Sequence, residues 1–106
     1  MNFGLPEKTL RTIHNILSQH AEVDQAILYG SRAKGNHKPG SDIDLTLVGG
    51  DALTLPIMYR IATELDDSTI PYTVDLSIFH QIGDSDVKEH IQRMGIVFFD
   101  KSDVNI

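Results

Sequence analysis

The sequence predicts a small α/β (α+β) domain built on a single sheet. Three observations carry that reading. Segments with apolar residues at helical spacing alternate with short apolar or strictly alternating runs of strand length. Glycine or proline punctuates most of the junctions. The length, 106 residues, suits one domain over 1–106 and leaves no room for a second. The predicted order is helix, strand, strand, helix, strand, helix, strand.

Each element has a local cause. Pro6 to about Ser18 reads as a helix: Pro6 suits a first turn, and Leu10, Ile13 and Leu17 form a stripe with Ile16 beside it. Ala26-Ile27-Leu28-Tyr29 is an apolar run closed by Gly30, hence a buried strand. Ser31 to Lys34 reads as the start of a short helix with Ser31 as its N-cap, and Asn36 to Gly40 as a loop. Asp42 to Val48 alternates as a strand does and stops at Gly49-Gly50. Asp51 to Asp67 reads as a helix capped by Asp51 or Thr54, with Leu55, Met58, Ile61 or Ala62, and Leu65 inward. After a turn over Ser68–Pro71, Tyr72 to Phe79 alternates as a strand. Ser85 to Met94 reads as a helix with Val87, Ile91 and Met94 inward, ended by Gly95. Ile96 to Phe99 is the last strand, and Asp100 to Ile106 reads as a polar tail, either flexible or docked on a partner.

Composition removes several classes. With 41% hydrophobic and 23% charged residues the chain reads as soluble and folded. It has no cysteine, so disulfides and thiolate metal sites are out, which suits a reducing cytoplasm. Met1 to Pro6 lacks the features of a signal peptide, and no run approaches the roughly 20 apolar residues of a membrane span. The net charge of −6 argues against general nucleic-acid binding. Charge is unevenly placed, however. Residues 31–41 hold Arg32, Lys34 and Lys38 and no acid, whereas 42–106 hold 12 acids against four bases. That one basic island would concentrate a polyphosphate.

The chemistry-bearing pattern is Gly30-Ser31, ten residues, then Asp42-Ile43-Asp44. Gly30 lets the backbone approach a ligand, and Ser31 offers a hydroxyl and an N–H to phosphate. Arg32 and Lys34 would add charge at a leaving pyrophosphate, and Gly35 would end the short helix. Strand parity extends the pattern. Asp42, Asp44 and Thr46 share one face of their strand; Thr73, Asp75 and Ser77 share one face of the later strand. If both apolar faces pack on the same helices, Asp42, Asp44 and Asp75 emerge together on an open face. Three close carboxylates repel, and a hard divalent cation such as Mg²⁺ relieves them while binding substrate phosphates. Two such ions would stabilise the attacking and leaving oxygens of an in-line displacement, with Asp75 serving the second ion or taking the attacking hydroxyl's proton.

Taken singly, each residue has a plainer explanation: a turn glycine, a capping serine, a solvated Asp-x-Asp, ordinary surface bases. Only the combination points to a nucleotide site. The five histidines show no zinc spacing, and the Asp86/His90 pair reads as a surface pair. The P-loop pattern is absent, and Ser31 has no base pattern for nucleophilic catalysis. His37 reads as a loop residue, Tyr29 and Tyr72 as core or rim packing.

Gly30-Ser31, ten residues and Asp42-x-Asp44, with Asp75 beyond, resembles the signature of the DNA polymerase β-like nucleotidyltransferase superfamily. The single-domain size resembles its minimal nucleotidyltransferases, the MNT proteins. The resemblance implies a mixed sheet with helices on one face and an open catalytic face. It implies that Asp42, Asp44 and Asp75 are the catalytic acids and Mg²⁺ ligands, and that Gly30 and Ser31 hold nucleotide phosphates. It further implies transfer of AMP from ATP to a hydroxyl, with release of pyrophosphate. Many MNT proteins resemble antitoxins paired with a helical HEPN ribonuclease toxin, whose tyrosine is the acceptor. Two other functions compete: a non-catalytic module that binds a toxin and uses nucleotide as a structural ligand, and transfer to a small molecule at a site completed by homodimerisation.

Overall fold

The computed structural model describes residues 3–103. Helix α1 spans Glu7–Ser18, with Pro6 at the N-cap in an extended conformation rather than inside the first turn. Its stripe is buried as expected at Ile13 and Leu17, with Leu10 and Ile16 half-buried, and Thr9 joins it. Strand β1 covers Gln25–Tyr29, the single-turn α2 Ser31–Lys34, and β2 Ile43–Val48. Helix α3 covers Leu55–Asp67, β3 Val74–Ile78, α4 Ser85–Met94 and β4 Ile96–Asp100.

The sheet order is β3-β2-β1-β4. β1 pairs antiparallel with both β2 and β4, while β2 and β3 run parallel, joined through α3. The sheet is therefore mixed. Its core face presents Ala26 and Leu28 from β1, Ile43, Leu45 and Leu47 from β2, and Ile78 from β3. These pack with Ile13 and Leu17 of α1 and Ile61 and Leu65 of α3 in one cluster. A 2.9 Å contact from His20 Nε2 to Glu64 Oε1 ties the end of α1 to α3. No helix among the described residues is long and apolar enough to cross a membrane.

Four expectations change. Asp51 does not cap α3, which starts four residues later with Thr54 at its N-cap; the chain first turns to bury Leu53. Helix α4 does not bury three apolar residues. Only Ile91 is covered; Val87 and Met94 are 40% and 46% exposed, and Leu55 of α3 is also exposed. Ile91 lies outside the main cluster, and Gly95 backs onto the Ile27 side chain, which alternates with the core residues Ala26 and Leu28. Lys88 lies over the Phe79 ring beyond the end of β3, at 5.1 Å. Helix α4 thus covers the distal half of the sheet's second face. Thr46, expected on that open face, is consequently buried and accepts a hydrogen bond from Ser77. Last, the tail does not begin at Asp100. That residue closes β4 and accepts from Gln25 Nε2 at 2.9 Å. Lys101 Nζ meets Asp24 Oδ1 at 2.8 Å in the short 3-10 turn Lys101–Asp103. The rest of the expected tail, residues 104–106, lies outside the described residues.

Candidate active site

The second face is open where β1 finishes and β2 and β3 begin. Tyr29, Asp44 and Asp75 form a row there. Tyr29 is the register partner of Asp44 across the antiparallel pair, and Asp75 its partner across the parallel pair. Directly opposed residues on neighbouring strands point to the same face, so the three side chains emerge together. Asp44 is half-buried, and Asp75 is exposed. Asp42 sits just before β2, not in it, and is exposed.

The electrostatics match this placement. Burial holds the Asp44 pKa above the usual carboxylate value, and the charges of Asp75 and then Asp42 push it further up. Burial also raises the Tyr29 phenol; a hydrogen bond with Ser77 opposes that rise, and the charges of Asp44 and Asp75 add to it. Asp44 therefore senses both other carboxylates. The three are not closed into a cage, however. Among the described residues no three His, Asp or Glu side chains stand close enough to hold a metal ion. The donor set, three carboxylates of which Asp44 feels the charge of the other two, has the chemistry that a hard oxygen-seeking cation satisfies.

Gly30 is fixed by geometry. Its φ is +79°, and a Cβ there would stand 2.5 Å from Asp44 Oδ2. No side chain fits between the turn and the carboxylate, and few residues other than glycine adopt that φ. Gly30 itself, rather than Ser31, occupies the N-cap position of α2; Ser31 is its first residue. Gly35 ends the turn in the left-handed conformation at φ +82°, as the sequence predicts.

The basic island divides. Lys34 and Lys38 are exposed, but Arg32 is buried at 3% exposure. Its Nε and Nη2 donate to the Ser41 carbonyl at 3.1 and 2.9 Å, and its Nη1 to the Phe3 carbonyl at 2.9 Å. The guanidinium lies 5.1 Å from the centre of the Tyr72 ring. Arg32 is thus not placed to meet a pyrophosphate. It braces the residue before Asp42, its rigid planar fork holding the Ser41 and Phe3 carbonyls in fixed positions. Tyr29 is the residue that composition hid. Its parity with Asp44 was the available signal, outweighed by its place in an apolar run.

Comparison with known proteins agrees with this geometry. The model of the polymerase beta nucleotidyltransferase family matches residues 11–104. A probable protein adenylyltransferase MntA of Haemophilus influenzae is 27% identical over 97 residues, covering 92% of this chain and 84% of that protein. Among solved structures, a toxin–antitoxin with AMP-PNP superposes with TM-score 0.68 at 19% identity, covering 94% of this chain and 77% of the other. A tri-AMPylated Shewanella oneidensis HEPN toxin in complex with MNT antitoxin matches with TM-score 0.66 at 17% identity, covering 93% and 76%. At such identities these structures share the fold. The family match spans both the Gly-Ser turn and the aspartate row, and the chain belongs to the polymerase beta nucleotidyltransferase family.

Proposed function

We propose that this protein transfers AMP from ATP to a hydroxyl of a partner protein, a tyrosine of a HEPN-type toxin, and so acts as an antitoxin. The observation that carries the reading is the row of Asp44 and Asp75 in register, with Gly30 packed against Asp44 and no Cβ between them. The similarity to a probable protein adenylyltransferase supports the protein acceptor. In the reaction the acceptor oxygen attacks the α-phosphorus, the bond from that phosphorus to the bridging oxygen of the β-phosphate breaks, and pyrophosphate leaves.

The residues divide the work. Gly30 and Ser31 seat the phosphates, and the missing Cβ lets their turn pack directly against Asp44. Lys34, exposed at the end of α2, draws the negative tail of the nucleotide. Asp42, Asp44 and Asp75 would hold Mg²⁺, which when bound neutralises phosphate charge and stabilises the leaving group. Asp75, on the edge strand and open to solvent, stands nearest an incoming hydroxyl and receives its proton. Arg32 acts at a distance, by fixing Ser41 and hence the approach to Asp42.

The test is incubation of the protein with α-labelled ATP, Mg²⁺ and the partner purified with it. Label on the partner, lost in Asp42→Asn and Asp44→Asn, is the expected result. An unlabelled partner, or label that survives both substitutions, would sink the reading. Full neutralisation of the partner by the doubly substituted, transfer-dead protein would favour a binding module instead.

A further inference from the structure

The strand that carries Asp75 is an open edge. One side of β3 pairs with β2, and among the described residues no strand pairs with the other. Native proteins usually blunt such edges with lysine, proline or a bulge. The opposite edge, β4, has its register broken against β1 and an ion-paired Lys101 at its end. β3 has neither; it is a regular Val-Asp-Leu-Ser-Ile whose one charge is Asp75. Beside it runs an apolar groove of about 240 Å³, formed by Leu55 and Met58 of α3, Leu76 and Ile78 of β3, and Gln81 and Ile82 beyond it. Two large apolar residues of α3, Leu55 and Tyr59, one helical turn apart, are 42% and 60% exposed next to it. Exposed apolar surface gathered beside an unpaired strand marks an interaction site.

We infer that the free edge of β3 and its groove dock an extended segment of the acceptor protein, with the hydroxyl-bearing residue opposite Asp75. This rests on the transfer reading above and deepens it. The argument is one of parity. A segment added to a sheet edge places the residue facing Asp75 on Asp75's own face, among the acids. Its two neighbours then point to the other face, over Leu55 and Met58. Main-chain pairing fixes the segment, and the groove selects apolar residues on either side of the hydroxyl. Charge complementarity sets the rest of its chemistry. The one charge on the strand is Asp75, the groove lining carries no base, and residues 42–106 as a whole hold 12 acids against four bases, so the segment is apolar where it meets the groove and basic in its flanks.

The test uses the full chain and its co-purified partner, and compares wild type with a Leu55→Lys, Tyr59→Lys variant. Both positions are exposed, so the fold is retained, which thermal denaturation checks. A Val87→Lys variant, altering an exposed apolar residue on α4, is the control. The groove variant is expected to label the partner at least tenfold more slowly, with its affinity for ATP unchanged; the control labels at the wild-type rate. Equal labelling by wild type and groove variant, or equal impairment of the control, would overturn the docking site while leaving the transfer reading intact. Should wild type label nothing, the transfer reading fails, and binding of the partner by calorimetry decides the docking site. A tenfold weaker affinity in the groove variant alone then supports it, and unchanged affinity overturns it.

Discussion

A single missing Cβ sets the geometry of this site. Gly30 combines a left-handed φ with close packing on Asp44, so alanine there meets both backbone strain and a collision with a carboxylate oxygen. Gly30→Ala is expected to destabilise the protein by about 1–3 kcal/mol and to cut transfer severely. Chemical denaturation and the labelling assay read the two effects separately. Asp44 offers the opposite trade. Its pKa is raised, so the folded state disfavours the ionised form. The penalty is present in full above the folded pKa and vanishes below the unfolded value. Asp44→Asn should therefore melt higher than wild type at neutral pH, without nucleotide or metal, and lose that advantage as the pH falls to the ordinary carboxylate range. Thermal scans across pH test this, and a variant melting below wild type at pH 7 would refute it. At this scale the sequence was legible where parity decides and opaque where burial does. Asp44 and Asp75 were readable because side chains alternate along a strand. Arg32 was not, since nothing in Ser-Arg-Ala-Lys says which base turns inward onto two carbonyls.

Among the elements, α4 shows what patterning leaves out. Its apolar residues recur at helical spacing, yet only Ile91 is buried. The helix rests on the second face of the sheet through Ile91, the Gly95 contact and Lys88 over Phe79, and Val87 and Met94 of its stripe stay partly exposed. Ile91→Ala should cost about 2–5 kcal/mol, whereas Met94→Lys should stay within about 0.5 kcal/mol of wild type. Urea denaturation distinguishes them, and equal costs would mean that the helix packs otherwise. Strand ends were misjudged for a related reason. Asp100 looks like the start of a polar tail, but its carboxylate is held by Gln25 of β1 and by Ser102 of the turn that follows β4. Those hydrogen bonds lower its pKa, Gln25 contributing most. A lowered pKa contributes stability that is present above the unfolded value and is lost as pH falls through the folded one. Wild type should accordingly lose its lead over Asp100→Asn on acidification, which paired melting curves below pH 4 would show. Hydrogen bonds between residues 75 positions apart in sequence leave no local trace.

For the molecule as a whole, repulsion at one edge of an acidic sheet is the dominant feature. A cation that binds the folded state and not the unfolded one raises the melting temperature with its concentration. Mg²⁺ is therefore expected to stabilise wild type and to leave the Asp42→Asn, Asp44→Asn variant unmoved, and chelation should abolish both the stabilisation and the transfer. A wild-type protein insensitive to Mg²⁺ by differential scanning fluorimetry would contradict the assignment of these carboxylates. The global architecture was the most legible level of all. Element order and spacing predicted one sheet, because strand length, helix length and the glycines between them are local properties, while its mixed character followed only from the family resemblance. The second face being half covered was not, because which helix crosses a sheet is decided by tertiary packing.

The parallel pairing of β2 with β3 carries a consequence for synthesis. The Gly-Ser turn and the first two aspartates lie early in the chain, whereas Asp75 arrives only after α3 has been made and has crossed back over the sheet. A nascent chain stalled at the end of α3 holds most of the phosphate grip and none of the acceptor edge. Parallel pairing also demands closure of that long crossover before any contact rewards it. Competence for transfer is thus one of the last properties a growing chain acquires, and chains truncated within α3 provide the means to time it on the ribosome.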